Sequence, residues 1–304
     1  MDELIDRVPG WAGRAHTIEP LEGGITNRNY RVIFGGADGG GESFVVRAPG
    51  ENTGLLGIDR RHEEQAARQA AALGVGPEVV AFVEPEGALV TRFVAGRGAD
   101  ADELRTPPLL TEAAALLRVV HGGPPIAAVF DWHQVPQDYA ATARAHGVDV
   151  PADYERAMAV ADQVRAAFGP AAPTAVVPCH NDLLAANFLV AAGGGLRLVD
   201  WEYAGMNDRY FDLGNFAVNN GLDGDGEAAL VEVYFGGITR RRLARLRLMK
   251  VISDLREAMW GVVQAGVSSL DVDFLAYADE HFERLLDNVA LPGFDDLLED
   301  AAGA

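Results

Sequence analysis

The chain has 304 residues, of which 49% are hydrophobic and 23% are charged, and its formal net charge is -20 at pH 7. This composition is typical of globular proteins and excludes a disordered or fibrous chain, while the length predicts one large or two modest domains. The negative field repels nucleic acid and anionic membranes, so we expect cationic or metal-bridged partners and neither nucleic acid nor membrane.

The single cysteine and the single lysine exclude several kinds of site. Cys179 alone cannot form an intramolecular disulfide or a CxxC zinc site, which indicates a reducing compartment. Lys250 is the only lysine, so a Walker A phosphate loop is excluded. The acidic start, Met1-Asp2-Glu3, carries no apolar leader, and no stretch approaches ~20 consecutive apolar residues. We therefore expect a cytoplasmic protein.

The first third of the chain is rich in strand patterns. Predicted strands include residues 29–34, 43–47, 79–83 and 88–93, and the first two flank a glycine-dense turn that predicts a hairpin. A helix is predicted over residues 59–73, where Gly74-Val75-Gly76-Pro77 ends it. These patterns predict an N-terminal lobe, residues 1–93, with a five-stranded antiparallel sheet and one helix.

The remainder, residues 94–304, is predicted to form a mainly helical C-terminal lobe, which makes the fold class α+β. The predicted helices are 108–121, 152–168, 226–235, 239–264 and 271–289. A short hairpin interrupts them, with strands 188–190 and 196–199 on either side of Gly193-Gly194-Gly195.

The most informative segment is His180-Asn181-Asp182-Leu183-Leu184-Ala185-Ala186-Asn187, followed by the hairpin and Asp200-Trp201-Glu202. Phosphoryl transfer requires an oriented acceptor hydroxyl and metal-held phosphates, and kinases supply these with a loop Asp, an Asn a few residues later and an Asp after a strand. Asp182, Asn187 and Asp200 stand in that order. Taken alone, Asp182 has the alternative interpretation of a residue that caps a turn, and His180 is better interpreted as a core histidine that supports the loop.

The same region carries a family resemblance. The run from Leu198 to Phe216, LVDWEYAGMNDRYFDLGNF, is similar to the signature of the choline/ethanolamine kinase branch of the aminoglycoside phosphotransferase superfamily, which shares the protein-kinase-like fold. Residues 45–50 (VVRAPG) and 58–60 (IDR) resemble the bacterial LicA-like members of that branch. The resemblance implies two lobes, a nucleotide-binding one over residues 1–93 and a catalytic, substrate-binding one over residues 94–304.

The resemblance also implies roles for particular residues. Asp182 would accept or orient the hydroxyl proton, Asn187 and Asp200 would bind Mg²⁺, and Glu202 would line the metal or the alcohol. Arg47 stands in place of the nucleotide-contacting lysine and is expected to pair with Glu63, as in the Lys–Glu pair of kinases. A solvated helix face is an equal interpretation of Glu63.

A glycine-containing segment precedes the second predicted strand, where a phosphate-covering loop is expected. Gly23 and Gly24 would let backbone amides approach an anion, and Thr26 and Asn27 would add donors. An ordinary β-turn is the alternative interpretation of the segment.

The acceptor is expected to be a small cationic alcohol. A quaternary ammonium is bound by aromatic faces and carboxylates, and Trp260 is the leading candidate, followed by Tyr210. Core packing is an equal interpretation of both rings. Asn219-Asn220 replaces a Glu that eukaryotic choline kinases carry beyond FDxxN, so part of the cationic pocket differs.

The predicted function is an ATP- and Mg²⁺-dependent kinase for choline or ethanolamine. A kinase for an aminoglycoside, thiamine or another amine-bearing alcohol is an alternative, and so is a non-catalytic binding module of the same fold. The sequence leaves open the choice between ATP and GTP, and whether the chain forms a homodimer.

Overall fold

The computed structural model describes residues 1–21, 27–35, 41–170 and 176–303. Gly23, Gly24 and Thr26 of the predicted phosphate-covering loop lie outside the described residues. The described chain forms two compact units, Met1–Ala99 with Ala186–Glu202, and Asp100–Ala185 with Tyr203–Ala304. The first unit thus includes residues 186–202, which the sequence-based division at residue 93 gave to the C-terminal lobe. The functional labels of the two lobes stay predictions.

The helices and strands agree with the α+β prediction. The helices are α1 (Asp2–Asp6), α2 (Arg60–Ala72), α3 (Ala101–Leu104), α4 (Leu109–His121), α5 (Val135–Ala145), α6 (Asp153–Phe168), α7 (Arg209–Asn219), α8 (Gly224–Phe235), α9 (Arg240–Val267), α10 (Phe274–Ala290) and α11 (Phe294–Ala302). The strands are β1 (His16–Leu21), β2 (Asn27–Phe34), β3 (Glu42–Pro49), β4 (Val79–Val83), β5 (Ala88–Arg92), β6 (Gly96–Gly98), β7 (Val176–Cys179), β8 (Phe188–Ala191), β9 (Leu196–Leu198) and β10 (Gly205–Asp208). None of the described helices has the length and apolar character needed to cross a bilayer.

The first unit contains a five-stranded antiparallel sheet in the order β1-β2-β3-β5-β4. One face of this sheet is apolar, and Trp11 packs on it with its ring 4.7 Å from the rings of both Phe34 and Phe44. The short helix α1 adds Ile5 to this core and was not predicted. Burial of these rings anchors the segment before β1 onto the sheet.

Helix α2 begins where a side chain satisfies its first backbone donors. The Asp59 carboxylate accepts the N–H groups of Arg61 and His62 at 2.8 and 3.1 Å, as expected of an N-cap residue. The helix buries an alanine-rich face together with Glu63. Gly74, at φ 74°, adopts the left-handed conformation that follows many helices and ends this one.

The predicted hairpin after the polar motif is present in the first unit. Strands β8 and β9 pair antiparallel, and β6 joins the other edge of β8. Gly194 and Gly195 connect the two strands at φ 88° and 85°, conformations that favour glycine.

The second unit is built around the long helix α9. Helices α5, α7, α10 and α11 pack against it, and its residues from Val251 to Gln264 are buried all round. Gly214 allows the close approach of α7, because a Cβ at this position would lie 2.5 Å from the main-chain carbonyl carbon of Met249. Strands β7 and β10 pair antiparallel beside these helices.

Candidate active site

The loop that carries Asp182, residues 180–184, is held by helix α7. Both carboxylate oxygens of Asp212 accept backbone N–H groups of the loop, from His180 at 2.9 Å and from Asn181 at 2.7 Å. Asn215, one turn later, accepts the N–H of Leu183 at 2.5 Å. Asp212 and Asn215 are the two polar residues of the FDxxN segment, residues 211–215. They therefore fix the loop backbone on both sides of Asp182.

Side chains of two asparagines extend this support. Asn181 adopts φ 66°, a left-handed conformation that Asn tolerates, and its amide donates to the carbonyl of Tyr203 at 2.9 Å. Asn220 donates to the carbonyl of Leu183 at 3.1 Å. This chain differs from eukaryotic choline kinases at Asn219-Asn220, and Asn220 stabilises the loop through this bond.

A buried histidine completes the environment of Asp212. His121 contacts Asp212 at 3.0 Å through Nε2 and the Tyr234 hydroxyl at 2.6 Å through Nδ1. Cys179 lies nearby, and the ligand atoms of His121, Cys179 and Asp212 fall within 4.8 Å of one another. Burial raises the pKa of the Cys179 thiol well above its usual range, and the carboxylates of Asp212 and Asp208 raise it further, so a metal-binding thiolate is disfavoured. We interpret this cluster as structural support for the loop.

We expect Asp212→Asn to lower the free energy of unfolding by about 1–3 kcal/mol, because the new amide leaves a buried backbone donor of the loop unpaired. Urea unfolding followed by circular dichroism measures the change. The exposed Asp225 of α8 provides the control, since Asp225→Asn should alter stability by less than about 0.5 kcal/mol. Equal stability of the two variants would contradict the anchoring role.

Asp182 is buried, at 9% exposure, and an arginine of α9 contacts it. Nη1 of Arg256 lies 3.3 Å from Asp182 Oδ1 and 2.6 Å from Glu257 Oε1. Burial lowers the pKa of Arg256, but the nearby Glu257, Tyr139 and Asp182 raise it by more, so the guanidinium stays charged. Sequence reasoning missed this residue; the available signal was a charged Arg-Glu pair within an otherwise apolar stretch of helix.

An aromatic group adjoins the same carboxylates. The indole N–H of Trp260 donates to the Tyr203 hydroxyl at 2.9 Å, and its ring lies edge-on to Phe274 and Tyr277 at 5.9 and 5.7 Å. The Tyr277 hydroxyl donates to Glu257 Oε2 at 3.0 Å. Burial and the carboxylate of Glu257 raise the pKa of Tyr277, which keeps this donor protonated. We call Tyr203, Arg256, Glu257, Trp260 and Tyr277 the α9 cluster.

Tyr210 belongs to a different set of rings. It stacks on Phe235 with centroids 5.3 Å apart and meets Phe168 edge-on at 6.3 Å. Its backbone N–H is bound by Asp208, which caps α7. Trp260 is thus linked to Arg256 through Tyr203, whereas the Tyr210 ring contacts Phe168 and Phe235. A substrate role for Tyr210 stays a prediction.

The first unit brings Asn187 and Asp200 to neighbouring positions at the base of the β8–β9 hairpin. The N–H of Val199 donates to the carbonyl of Asn187 at 3.0 Å. Asp200 adopts φ 69°, a left-handed conformation that is uncommon outside glycine and is often found at functional sites. An amide oxygen and a carboxylate are ligands that suit Mg²⁺, so this donor set fits the ion.

Asp200 belongs to a network of two arginines and three carboxylates. Arg47 pairs with Asp200, with Glu63 at 3.4 Å and with Glu202 at 3.1 Å. Arg60 pairs with Glu63 at 2.7 Å and with Glu202 at 3.0 Å. The predicted ion pair between Arg47 and Glu63 is therefore present, whereas the contribution of Arg60 was not predicted.

The pKa values of Arg47 and Glu63 are shifted by burial and by the neighbouring charges. Burial lowers the pKa of Arg47, but Asp200, Glu63 and Glu202 raise it by more, so Arg47 stays charged. Burial raises the pKa of Glu63 and its two arginine partners oppose the shift. Asn27, at the start of β2, donates from its side-chain amide to Glu202 at 2.8 Å. The network holds one more negative than positive charge, which suits the binding of a cation.

The predicted residues are thus divided between the two units. Asn27, Arg47, Glu63, Asn187, Asp200 and Glu202 belong to the first unit, and Asp182, Tyr210 and Trp260 to the second. Within each unit most of them take part in one connected set of contacts. Convergence of Asp182 with Asn187 and Asp200 on one metal ion stays a prediction.

Comparison with known proteins gives a consistent result. The model of the "Phosphotransferase enzyme family" matches residues 17–248. Ethanolamine kinase 2 of Homo sapiens is 25% identical over 306 residues, which cover 91% of this chain and 77% of that protein. A solved structure of a choline/ethanolamine kinase family protein from Mesorhizobium loti is 31% identical with a TM-score of 0.82, and the match covers 99% of this chain and 97% of that chain.

A second solved structure extends the comparison of folds. The choline kinase LicA of Streptococcus pneumoniae superimposes with a TM-score of 0.74 at 21% identity, over 91% of this chain and 94% of that chain. This likeness, together with that to the Mesorhizobium loti protein, confirms the predicted fold class.

Proposed function

Because the chain belongs to the phosphotransferase enzyme family, in its choline/ethanolamine kinase branch, we propose that it transfers the γ-phosphate of ATP to the hydroxyl of choline or ethanolamine. The observation that carries this proposal is the position of Asp182. Its carboxylate lies on an anchored loop and, through Arg256, adjoins a cluster that offers aromatic rings and a second carboxylate. A cationic alcohol needs both kinds of group.

Asp182 is the residue that handles the proton in this proposal. Its carboxylate accepts the hydroxyl hydrogen of the alcohol, and the alcohol oxygen attacks the γ-phosphorus of ATP. The bond between that phosphorus and the β–γ bridging oxygen breaks, ADP leaves with the electron pair, and the proton passes to Asp182. Such general-base assistance requires the fixed orientation that Asp212 and Asn215 give to the loop.

Nucleotide binding is assigned to residues of the first unit. Asn187 and Asp200 would hold Mg²⁺, which supplies positive charge to the phosphate oxygens when bound. Arg47 would donate to phosphate oxygens, and Glu63 and Glu202 orient its guanidinium. Asn27 fixes Glu202 from the other side.

Recognition of the cationic group is assigned to three residues of the α9 cluster, Glu257, Trp260 and Tyr277. The ring of Trp260 offers the strongest cation–π surface among the side chains, and Tyr277 lies beside it. Glu257 supplies the negative charge that eukaryotic choline kinases place where this chain has Asn219-Asn220. Helix α9, rather than α7, thus provides the negative charge that an ammonium group requires.

We expect Trp260→Leu to raise KM for the alcohol by roughly 3- to 30-fold, the equivalent of about 0.5–2 kcal/mol of cation–π energy, and to leave KM for ATP unchanged. Initial rates at varied alcohol and ATP concentrations measure both constants. Trp132 is a matched control, since its ring packs against His133 and Phe168. Trp132→Leu should change neither constant. An unchanged alcohol KM in Trp260→Leu would remove this residue from the binding site.

An ADP-release assay tests the proposed function. The acceptors are ethanolamine, choline, thiamine and an aminoglycoside, with a reaction lacking acceptor as the blank. We expect ADP release above the blank with ethanolamine or choline. Release only with thiamine or the aminoglycoside would reassign the acceptor. Thermal stabilisation by MgATP without release in any reaction would instead indicate a binding module.

A further inference from the structure

Arg47 of β3 contacts the carboxylate that is proposed to hold the metal. Its Nη2 atom pairs with Asp200 Oδ1 and lies 3.1 Å from Glu202 Oε2, and its Nη1 atom lies 3.4 Å from Glu63 Oε1. The side chains of Arg47 and Asp200 are 11% and 24% exposed, so salt screens their attraction less than that of a surface ion pair. The guanidinium therefore neutralises much of the charge that a metal ion needs at Asp200.

A guanidinium and a divalent cation compete for the same carboxylate. Mg²⁺ prefers carboxylate oxygens, and a positive group in contact with Asp200 both cancels the negative charge and repels the ion. The competing groups all lie in the first unit, on β3 and at the base of the β8–β9 hairpin. Metal binding at Asp200 is thus weakened as long as Arg47 stays in contact with it.

Of the two partners, the arginine is the one that can move. Asp200 follows β9 directly, next to the hydrogen bond that the N–H of Val199 donates to the carbonyl of Asn187 at 3.0 Å. The backbone of Arg47 is also fixed, because β3 pairs with β2 on one side and with β5 on the other. Its long side chain, however, can change rotamer without disturbing these strands.

Nucleotide phosphates offer Arg47 an alternative partner. Within the part of the chain that the structure describes, the buried Nε atom of Arg47 has no hydrogen-bond partner. In a guanidinium Nε and Nη2 lie on the same edge, and Nη2 is the atom that pairs with Asp200. A phosphate group beside Asp200 can accept from both donors of this edge, whereas the pair with Asp200 uses only one of them.

The other two carboxylates keep a positive partner if Arg47 turns away from Asp200. Nη1 of Arg60 lies 2.7 Å from Glu63 Oε2 and 3.0 Å from Glu202 Oε2. Both glutamates are buried, and a buried carboxylate that loses its only cation is strongly destabilising. Because Arg60 stays with both of them, the network tolerates the movement of Arg47.

We propose that Arg47 blocks metal binding at Asp200 until nucleotide phosphates draw its guanidinium away, so that the metal binds together with the nucleotide and not before it. This inference rests on the proposed function. It makes the two binding events reciprocal, because phosphates that strengthen metal binding are themselves bound more tightly, by the same factor, once the metal is present. The Arg47–Asp200 pair keeps the metal site closed in the protein without nucleotide.

Arg47→Met is the primary test, because methionine has a long side chain but carries no charge. The probe is Mn²⁺, which takes the same oxygen ligands as Mg²⁺, and electron paramagnetic resonance measures its free concentration. Without nucleotide, the Kd for Mn²⁺ should be at least about tenfold lower in Arg47→Met than in the wild type, within the roughly 5- to 150-fold range typical of coupled sites. This gain should vanish when Asp200→Asn is added to Arg47→Met.

The control is Arg60→Met, which removes an equal charge from the same network at a residue that pairs with Glu63 and Glu202. Because this charge is not in contact with Asp200, the Kd for Mn²⁺ should stay within about threefold of the wild-type value. Equal gains in Arg47→Met and Arg60→Met, or no gain in a folded Arg47→Met protein, would overturn the proposal.

The ADP-release assay on the wild type separates this proposal from the proposed function. Release with ethanolamine or choline, together with an unchanged Kd for Mn²⁺ in Arg47→Met, would overturn the metal-site proposal and leave the function standing. Absence of release with both alcohols would reject the function itself.

A crystal structure of the wild type with Mg²⁺ and a non-hydrolysable ATP analogue decides the matter if Arg47→Met does not fold. The proposal requires a metal bound to Asp200 and Arg47 Nη2 more than about 4 Å from both Asp200 oxygens. Nε or Nη2 of Arg47 should then lie within about 3.2 Å of a phosphate oxygen. A metal on Asp200 with the Arg47–Asp200 pair intact would reject the proposal, and so would a complex in which Asp200 binds no metal.

Discussion

Replacement of Asp182 by asparagine is expected to lower kcat by roughly 10²–10⁴-fold, because the amide keeps the size of the side chain but cannot accept the hydroxyl proton. The loop should keep its conformation, since its anchors are backbone N–H groups bound by Asp212 and Asn215. MgATP should still bind, because the proposed nucleotide contacts belong to the other unit. Initial rates and a thermal-shift titration with MgATP measure the two properties.

Asp279 provides the matched control for this variant. It is an exposed aspartate on α10, and Asp279→Asn should leave kcat and MgATP stabilisation at wild-type values. If Asp182→Asn turned over ethanolamine or choline as fast as the Asp279→Asn control, Asp182 would have no role as the base.

Replacement of Asp200 by asparagine should lower turnover by roughly 10²-fold or more, because a magnesium ligand and its charge are lost from the phosphate site. The same change should not reduce stability without ligand. The network around Asp200 has two guanidinium groups and three carboxylates, so removal of one carboxylate leaves it balanced rather than short of charge.

Thermal unfolding with and without MgATP separates these two effects. The Asp200→Asn protein should match the wild-type midpoint without ligand and lose most of the stabilisation that MgATP gives. Glu78 serves as the control, because it is an exposed carboxylate of the same unit that pairs with Arg92. Full MgATP stabilisation of Asp200→Asn would show that Asp200 does not bind the metal.

Local sequence signals predicted the elements that depend on local chemistry. Asp59 and Gly74 marked the two ends of α2 because N-cap hydrogen bonds and left-handed glycine are short-range effects. The glycines at 193–195 marked the β8–β9 turn for the same reason. The order of strands in the sheet was not accessible, because β3 pairs with β5 across a helix and a strand of intervening chain.

Helix α7 was missed because it buries two polar residues, Asp212 and Asn215, among its apolar ones. Asp212 and Asn215 point inward to bind the loop backbone, which breaks the apolar periodicity on which helix prediction relies. Arg256 was missed for a related reason. A charged pair on a helix usually marks a solvated face, and only tertiary packing shows that Arg256 is buried against Asp182.

The phosphate ester bond formed in the reaction is observed directly by ³¹P NMR of the wild-type protein with ATP, Mg²⁺ and ethanolamine or choline. A phosphomonoester resonance should grow in step with the ADP formed, one for one, and should grow roughly 10²–10⁴-fold more slowly when Asp182→Asn replaces the wild type. ADP accompanied only by inorganic phosphate, or no consumption of ATP with either alcohol, would contradict the proposed function.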